Sequence, residues 1–449
     1  MENKARTLFC IVNIIILILL SSFFMNTSIL VVGLLGMFFV LLMTKNENSN
    51  FFRLLTVVFC VSILSMLVLY NGYNVKYGTP YYRGGSDDVY FEQTAMDIVH
   101  KSYFFPHEFV TIPELRFANA NGFIWILSWL IRFCNIFGGY HTIVYRILSI
   151  YFLIILGVLT LKYFSKQYHF SEKQNFIVFG ALTLFPNVQY ITIHVFRDTL
   201  NILILFFIVF LWEDFVSTEK NWKKTTFVIM ITMLLSYVEF WMRVQNLLLI
   251  CGIILTTLLL NNKKITTKKI WILTLFIFLV GVFSNLFNYI IDFSDRFSSY
   301  LVSNVDGLSQ MIFSMSLFPF GILFRIIFGL VSPFPAPIFK IIDVFNDIDI
   351  FFGVFVSIGV IIQIYLLPYL FMNIKRLDTI TILFLTFFST VVVTTFTFRH
   401  FIMLYPFLVI LIFRQFFVTP RETKIRLFVL TTMMFLLCGG MYLLLKGVA

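Results

Sequence analysis

Charged side chains are scarce in this sequence, and their scarcity excludes an ordinary water-soluble domain. Lys, Arg, Asp and Glu make up 12% of the 449 residues, whereas a typical soluble protein carries roughly 25%. Hydrophobic residues make up 60%. Apolar runs such as 8–24 and 379–396 approach the roughly 20 residues of helix that cross a bilayer core. The composition therefore predicts an all-α integral membrane protein.

Cysteine is also rare. Cys10, Cys60, Cys134, Cys251 and Cys438 all lie in apolar runs, without the spacing of a metal site. They are interpreted as small core residues rather than disulfides or metal ligands. The net charge of +11 is attributed to Lys and Arg in cytoplasmic loops. The expected partner is thus the lipid bilayer and not a nucleic acid.

Long apolar segments divide the chain, residues 1–449, into a single polytopic bundle of about 11–14 transmembrane helices. The first segment is too long for a secretory signal and no cleavage-site pattern follows it, so a retained helix is expected. The predicted spans are 8–24, 27–43, 54–71, 142–162, 174–192, 198–212, 225–241, 246–260, 270–291, 350–372, 379–397, 401–418 and 427–445.

Loop charge predicts the orientation of the bundle. The loops rich in Lys and Arg should face the cytoplasm together with the N-terminus. That parity requires segment 122–137 to lie along the outer interface and segment 311–332 to re-enter or lie flat. Pro319, Gly321 and Gly329 favour a broken helix in the latter. The outer side would then hold a large loop, 72–121, and a second region, 292–349, which contains the re-entrant segment.

With this orientation, the remaining charged groups fall on the outer side. They are Asp87, Asp88, Arg197, Asp198, Arg243, Asp292, Asp295, Asp306, Arg399 and His400. We therefore expect a polar cavity that opens outward and is surrounded by charges of both signs.

The segment from Gly84 to Asp88 is the strongest candidate for a reaction centre. Its glycines allow a sharp turn and close approach to a ligand. Asp87 or Asp88 could take a proton from an attacking hydroxyl or bind a divalent cation through oxygen. The structural alternative is a helix that begins at Ser86 or Asp87 and runs through His100, since acidic residues favour the first turn.

Five basic residues are candidates for binding a phosphate: Arg146, Arg197, Arg243, Arg399 and His400. Guanidinium groups bind phosphate bidentately, and ionisable groups at membrane depth are functional candidates by default. Structural alternatives remain open for each site. Arg197 could pair with Asp198, Arg243 could pair with Glu239 four residues earlier, and Arg399 with His400 could anchor a helix end at the interface.

Four motifs resemble the multi-spanning glycosyltransferases of the GT-C type and the O-antigen or capsule polymerases of bacterial surface polysaccharide pathways. They are Gly85-Ser86-Asp87-Asp88, Gly138-Gly139 with Arg146, Pro186 with Arg197-Asp198, and Arg399-His400 with Pro406. The resemblance covers most of the chain. It implies a multi-pass enzyme of the bacterial inner membrane that acts at the periplasmic face.

The resemblance also implies a substrate and residue roles. Such enzymes transfer glycans from a polyprenyl phosphate or diphosphate to a hydroxyl, beside other polysaccharide-assembly membrane proteins. Asp87 or Asp88 would be the general base or a contact for a divalent cation, and Arg243, Arg399 and Arg197 would stabilise the departing phosphate. The chain lacks a large soluble C-terminal domain, which leaves polymerisation or single-sugar transfer. A flippase for lipid-linked glycans is the alternative without chemistry.

Overall fold

The computed structural model describes residues 2–109, 120–218, 221–243, 245–260, 312, 314–315, 321–331, 336–394 and 398–447. Within these ranges all regular secondary structure is helical, and there is no β-strand. The helices are α1 (Glu2–Phe23), α2 (Thr27–Met43), α3 (Ser49–Tyr77), α4 (Asp87–His100), α5 (Pro106–Phe109), α6 (Asn121–Asn135), α7 (Thr142–Tyr168), α8 (Glu172–Thr183), α9 (Pro186–Thr192), α10 (Asp198–Ser217), α11 (Trp222–Met242), α12 (Gln245–Leu260), α13 (Ile322–Val331), α14 (Ile348–Ile374), α15 (Thr379–Thr394), α16 (Tyr405–Val418) and α17 (Arg421–Gly447).

Seven helices of the described chain are long and apolar enough to cross a membrane. They are α1, α3, α7, α10, α11, α14, and α16 with the short 3-10 turn Phe398–Leu404 that precedes it. Four shorter apolar helices, α2, α12, α13 and α15, accompany them. Helix α7 lies in the centre, whereas α1 and α11 expose most of their apolar side chains at the periphery. This architecture agrees with the predicted helical membrane protein.

The prediction of one continuous span over 174–192 is wrong. Helix α8 ends at Thr183, and α9 begins at Pro186 after a break of two residues. Proline lacks a backbone N–H and disfavours helical geometry in the residue before it, which accounts for the break at this point. Gln189 compensates, because its side-chain amide donates to the carbonyl of Thr183 and to Ser62 Oγ at 2.8 Å.

A chain of neutral side chains ties the broken helix to its neighbours. Asn187 Nδ2 donates to the Tyr405 hydroxyl at 3.0 Å, and that hydroxyl donates to Gln363 Oε1 at 2.9 Å. Gln363 Nε2 then donates to the carbonyl of Leu330 at 2.8 Å. These contacts join α9, α16, α14 and α13 through groups that are buried away from water, where each unmade hydrogen bond would be costly.

Segments 122–137 and 311–332 were both expected not to cross the bilayer completely. The first, 122–137, becomes α6, which packs on α4 and against the C-terminal end of α11. In the second, only 312, 314–315 and 321–331 are described, and they include the ten-residue helix α13. The predicted span 270–291, together with Pro319, Asp292, Asp295 and Asp306, lies outside the described residues.

Ion pairs collect at opposite ends of the long helices. Asp214, near the C-terminal end of α10, pairs with Lys166 at 3.0 Å and with Lys224 at 2.8 Å. Arg414, near the C-terminal end of α16, pairs with Asp378. Of the groups predicted to face outward, Asp198 begins α10, and Arg399 lies in the turn immediately before α16. The apolar middle of the bundle separates these two polar layers.

A glycine sets the distance between α6 and α11. A Cβ atom at Gly122 would lie 2.6 Å from the backbone nitrogen of Met242 and 2.9 Å from the carbonyl oxygen of Val238. Real Cβ atoms do not approach backbone so closely, so any other residue would push the two helices apart. The crossing thereby fixes the end of α11, immediately before Arg243.

We expect Gly122→Ala to lower the free energy of unfolding by about 1–3 kcal/mol, the usual range for overpacking. Gly180→Ala on α8 is the matched control, because the nearest atom to its added methyl group would be 4.0 Å away. Alanine is the better helix former, so this control should be neutral or stabilising. Thermal unfolding of both variants in detergent measures the difference. Equal melting temperatures would contradict the close crossing.

Candidate functional site

Four charged side chains form a continuous chain of ion pairs at one end of the bundle. Asp87 Oδ2 lies 2.8 Å from Arg399 Nη2, and Arg399 Nε lies 3.0 Å from Asp198 Oδ2. The other oxygen of Asp198 lies 2.9 Å from Arg243 Nη2. We call this set the ionic chain. Its members come from four distant segments: α4, the turn Phe398–Leu404, α10 and the end of α11.

Asp198 is the centre of the ionic chain. Its side chain is fully buried, at 0% exposure, and both of its oxygens face guanidinium groups. It is the first residue of α10, where the helix dipole favours a negative charge. A buried carboxylate is costly unless it is paired. The two arginines therefore compensate the buried carboxylate of Asp198.

Arg197 joins the same layer through the neighbouring helix end. Its Nη1 donates to the carbonyl of Met242 at 3.0 Å, next to Arg243. Arg243 follows the last residue of α11 in an extended conformation. The predicted alternative of an isolated Arg197–Asp198 pair is therefore incomplete, because Asp198 forms ion pairs with Arg243 and Arg399.

Glu239 accepts a hydrogen bond from Asn246 Nδ2 on α12. That amide also donates to Asn201 Oδ1 at 2.7 Å. Arg243 directs Nη2 to Asp198 rather than to the carboxyl group four residues earlier. The proposed intrahelical Glu239–Arg243 pair is thus replaced by contacts between helices.

Arg399 is the point where the ionic chain meets solvent. Its guanidinium carbon lies 4.4 Å from the ring centroid of Phe196, within the range of a cation–π interaction. Exposure rises along the chain, from 0% at Asp198 to 19% at Arg399 and 53% at Asp87. His400 is buried beside Arg399 on the same turn. The accessible part of the site is therefore the Asp87–Arg399 pair.

Asp88 has a different environment from Asp87. It is fully buried and accepts from the backbone N–H groups of Tyr82 at 2.7 Å, Val89 at 3.1 Å and Ser86 at 3.3 Å. These bonds close the loop in front of α4. The predicted helix from Asp87 through His100 is confirmed. The two adjacent carboxylates thus have different roles. Asp88 holds the loop in front of α4, and Asp87 faces Arg399.

Arg146 lies in a second buried cluster, on the other side of the same loop. Its Nη2 donates to the carbonyl of Pro80, while the Tyr81 hydroxyl donates to Glu92 Oε2 at 2.6 Å. The Tyr140 hydroxyl donates to the other oxygen of Glu92. Burial raises the pKa of the Glu92 carboxyl, and the hydrogen bonds from Tyr140 and Tyr81 oppose that rise. Arg146 and Glu92 therefore clamp the loop that carries Asp87.

The structure thus unites Asp87, Arg197, Arg243 and Arg399, with His400 adjacent, and places Asp88 and Arg146 behind them. The sequence analysis assigned no role to Glu92. A usable signal was its position four residues after Asp88, on the face of α4 shared with the buried Phe91 and Ala95. Within the part of the chain that the structure describes, no group of three His, Cys, Asp or Glu could hold a metal ion.

Comparison with known proteins gives no functional assignment, so function is inferred from the geometry of the site. The chain matches no protein-family model, no curated protein and no solved structure. Its own features define the class: a multi-pass helical membrane protein, with a buried ionic chain that reaches the surface at one end of the bundle.

We expect Arg243→Gln to destabilise the protein by about 3–5 kcal/mol, because it removes one of the two cations that compensate buried Asp198. Lys224→Met, which removes a half-buried partner of the more exposed Asp214, is the control and should cost at most about 1 kcal/mol. The double variant Asp198→Asn/Arg243→Gln should recover part of the loss. Melting temperatures in detergent test all three. If Arg243→Gln costs no more than the control, the buried pair does not stabilise the fold.

Proposed function

We propose that this protein is a membrane glycosyltransferase, a polymerase of bacterial surface polysaccharide such as O-antigen or capsule. The single observation that carries the proposal is the ionic chain. It brings an accessible carboxylate, Asp87, into contact with Arg399, which Asp198 joins to a second guanidinium, that of Arg243, at one end of a membrane bundle. This is the combination that transfer from a lipid-linked phosphate requires: a group that accepts a proton and groups that stabilise a departing anion.

Asp87 has the properties of a general base. Its carboxylate is accessible, and it begins α4 after Ser86 and two glycines, Gly84 and Gly85, whose φ angles of +86° and +128° form a tight turn. In the proposed reaction, Asp87 takes the proton of the acceptor hydroxyl as that oxygen attacks the anomeric carbon of the donor glycan. Asp88, which is buried and committed to three backbone N–H groups, supports this role structurally.

The leaving group is a polyprenyl phosphate or diphosphate. Negative charge on its phosphate grows as the bond to the sugar breaks, and preorganised cations stabilise that change. Arg399, Arg243 and Arg197 are candidates for this role, with His400 beside them. The pairing of Arg399 and Arg243 with Asp198 fixes their guanidinium groups in place before the ligand arrives.

Two other functions use the same site differently. A single-sugar transferase would add one residue to its acceptor, whereas a polymerase extends a chain. A flippase would move the lipid-linked glycan without breaking a bond, and the broken helix α8–α9 is a feature that transporters share. Purified protein with a polyprenyl-diphosphate oligosaccharide distinguishes them: a ladder of products supports the polymerase, one addition supports the single-sugar enzyme, and unchanged substrate supports the flippase.

We expect Asp87→Asn to lower the rate of glycan transfer by about 10²–10⁴-fold, the usual contribution of a general base. Asp97→Asn, an exposed acidic residue on the same helix, is the matched control and should leave the rate unchanged. Asp88→Asn should also abolish transfer, through loss of the loop fold. Product length and yield are measured at equal protein levels in the membrane. Full activity in Asp87→Asn would refute the catalytic assignment.

The proposal places α4 on the periplasmic side of the inner membrane and the N-terminus in the cytoplasm. In a chain without its native cysteines, Asp97→Cys should therefore react with a membrane-impermeant maleimide added to intact cells whose outer membrane has been permeabilised. Lys375→Cys, exposed at the opposite ends of the helices, should react only after the inner membrane is opened. The reverse pattern would place the ionic chain on the cytoplasmic side, where the proposed substrate is not presented.

A further inference from the structure

Arg399 holds two carboxylates that differ sharply in their surroundings. Its Nε faces Asp198, which is fully buried, and its Nη2 faces Asp87, which is 53% exposed. One guanidinium thus joins an inner partner to an outer partner. The two contacts use different nitrogen atoms of the group, so one can be lost while the other remains.

The inner contact is the durable one. Asp198 is also paired with Arg243 and begins a twenty-residue helix, so its separation from Arg399 would leave buried charge without full compensation. The outer contact is weak by comparison, because water screens an ion pair as exposed as Asp87–Arg399. An anion that arrives from solvent will therefore exchange with Asp87 and not with Asp198.

The charge balance of the layer favours such an exchange. Arg197 lies within electrostatic reach of Arg243, Arg399, Asp198 and Asp87. When Asp87 leaves, the three guanidinium groups retain two buried carboxyl groups nearby, Asp198 and Glu239. A phosphate oxygen that replaces the Asp87 carboxylate restores the lost anion, and it suits the planar edge of a guanidinium.

We propose that Asp87 and the phosphate of a ligand compete for Nη2 of Arg399, so that binding of the phosphate releases the Asp87 carboxylate. The proposal rests on the proposed function and adds a coupling to it. The base is engaged with Arg399 until the anionic group of the donor displaces it, and only then can it accept a proton from the acceptor hydroxyl. The movement needs only a new rotamer of the exposed Asp87 side chain, while Asp88 and Arg146 keep the loop in front of α4 in place.

The competition has a distinctive consequence for affinity. Asp87→Asn removes the internal competitor, so the full-length protein should bind farnesyl diphosphate about three- to five-fold more tightly, the range expected for loss of an exposed ion pair. Asp87→Ala should bind equally tightly, whereas Asp87→Glu should stay near the native affinity. Arg399→Gln should weaken binding at least about ten-fold. The double variant Asp87→Asn/Arg399→Gln should bind no more tightly than Arg399→Gln alone.

The controls separate phosphate recognition from binding of the lipid tail and from unfolding. Asp97→Asn should bind as the native protein does, and farnesol, which lacks the phosphate, should show no difference among the variants. Inorganic diphosphate tests whether the lipid tail is required: the same ranking with it assigns the site to phosphate in general, and a ranking seen only with the farnesyl probe assigns it to a lipid head group. Melting temperatures verify that each variant is folded.

The result that overturns the proposal is affinity in Asp87→Asn and Asp87→Ala that equals or falls below that of the native protein. This outcome is independent of the proposed reaction. If Asp87→Asn binds more tightly yet still transfers glycan, the competition stands and the assignment of Asp87 as the base fails. If it loses transfer without tighter binding, the catalytic assignment stands and the competition fails.

Discussion

Burial of the Asp198 carboxylate is the constraint on which the polar end of this protein depends. A fully buried anion in a helical membrane bundle requires compensating cations at fixed positions. Arg243 from α11 and Arg399 from the turn before α16 supply them, at 2.9 Å and 3.0 Å. Three segments that are distant in sequence are therefore held at fixed positions relative to one another. The outer nitrogen of Arg399, Nη2, faces the exposed carboxylate of Asp87.

Several contacts other than ion pairs hold this charged layer in place. Gly122 allows α6 to approach the backbone of α11 just before Arg243. Arg146, which the sequence suggested as a phosphate ligand, instead binds the carbonyl of Pro80 and fixes the loop in front of Asp87. Phe196 lies against the guanidinium of Arg399. The members of the ionic chain are thus oriented by residues outside it.

Much of the fold could be predicted from the sequence, because hydrophobic length and loop charge are local signals. They indicated the long helices and grouped the charged residues that the ionic chain unites. The partner of each charge could not be predicted. Arg243 has Glu239 four residues away in sequence, yet it binds Asp198, since only the packing of α10 against α11 decides which carboxylate is within reach. The break at Pro186 was missed because most residues on both sides of it are apolar, although Asn187 and Gln189 are not.

The hydrogen-bonded chain of Asn187, Tyr405 and Gln363 at the broken helix contains no acidic or basic side chain. Amides carry no net charge, so the transmembrane voltage exerts no direct force on them, whereas a moved elementary charge would experience about 2.3 kcal/mol per 100 mV. The joint between α8 and α9 therefore carries no charge on which the voltage could act. A response to membrane voltage would therefore act on charged groups elsewhere in the protein and not on this joint.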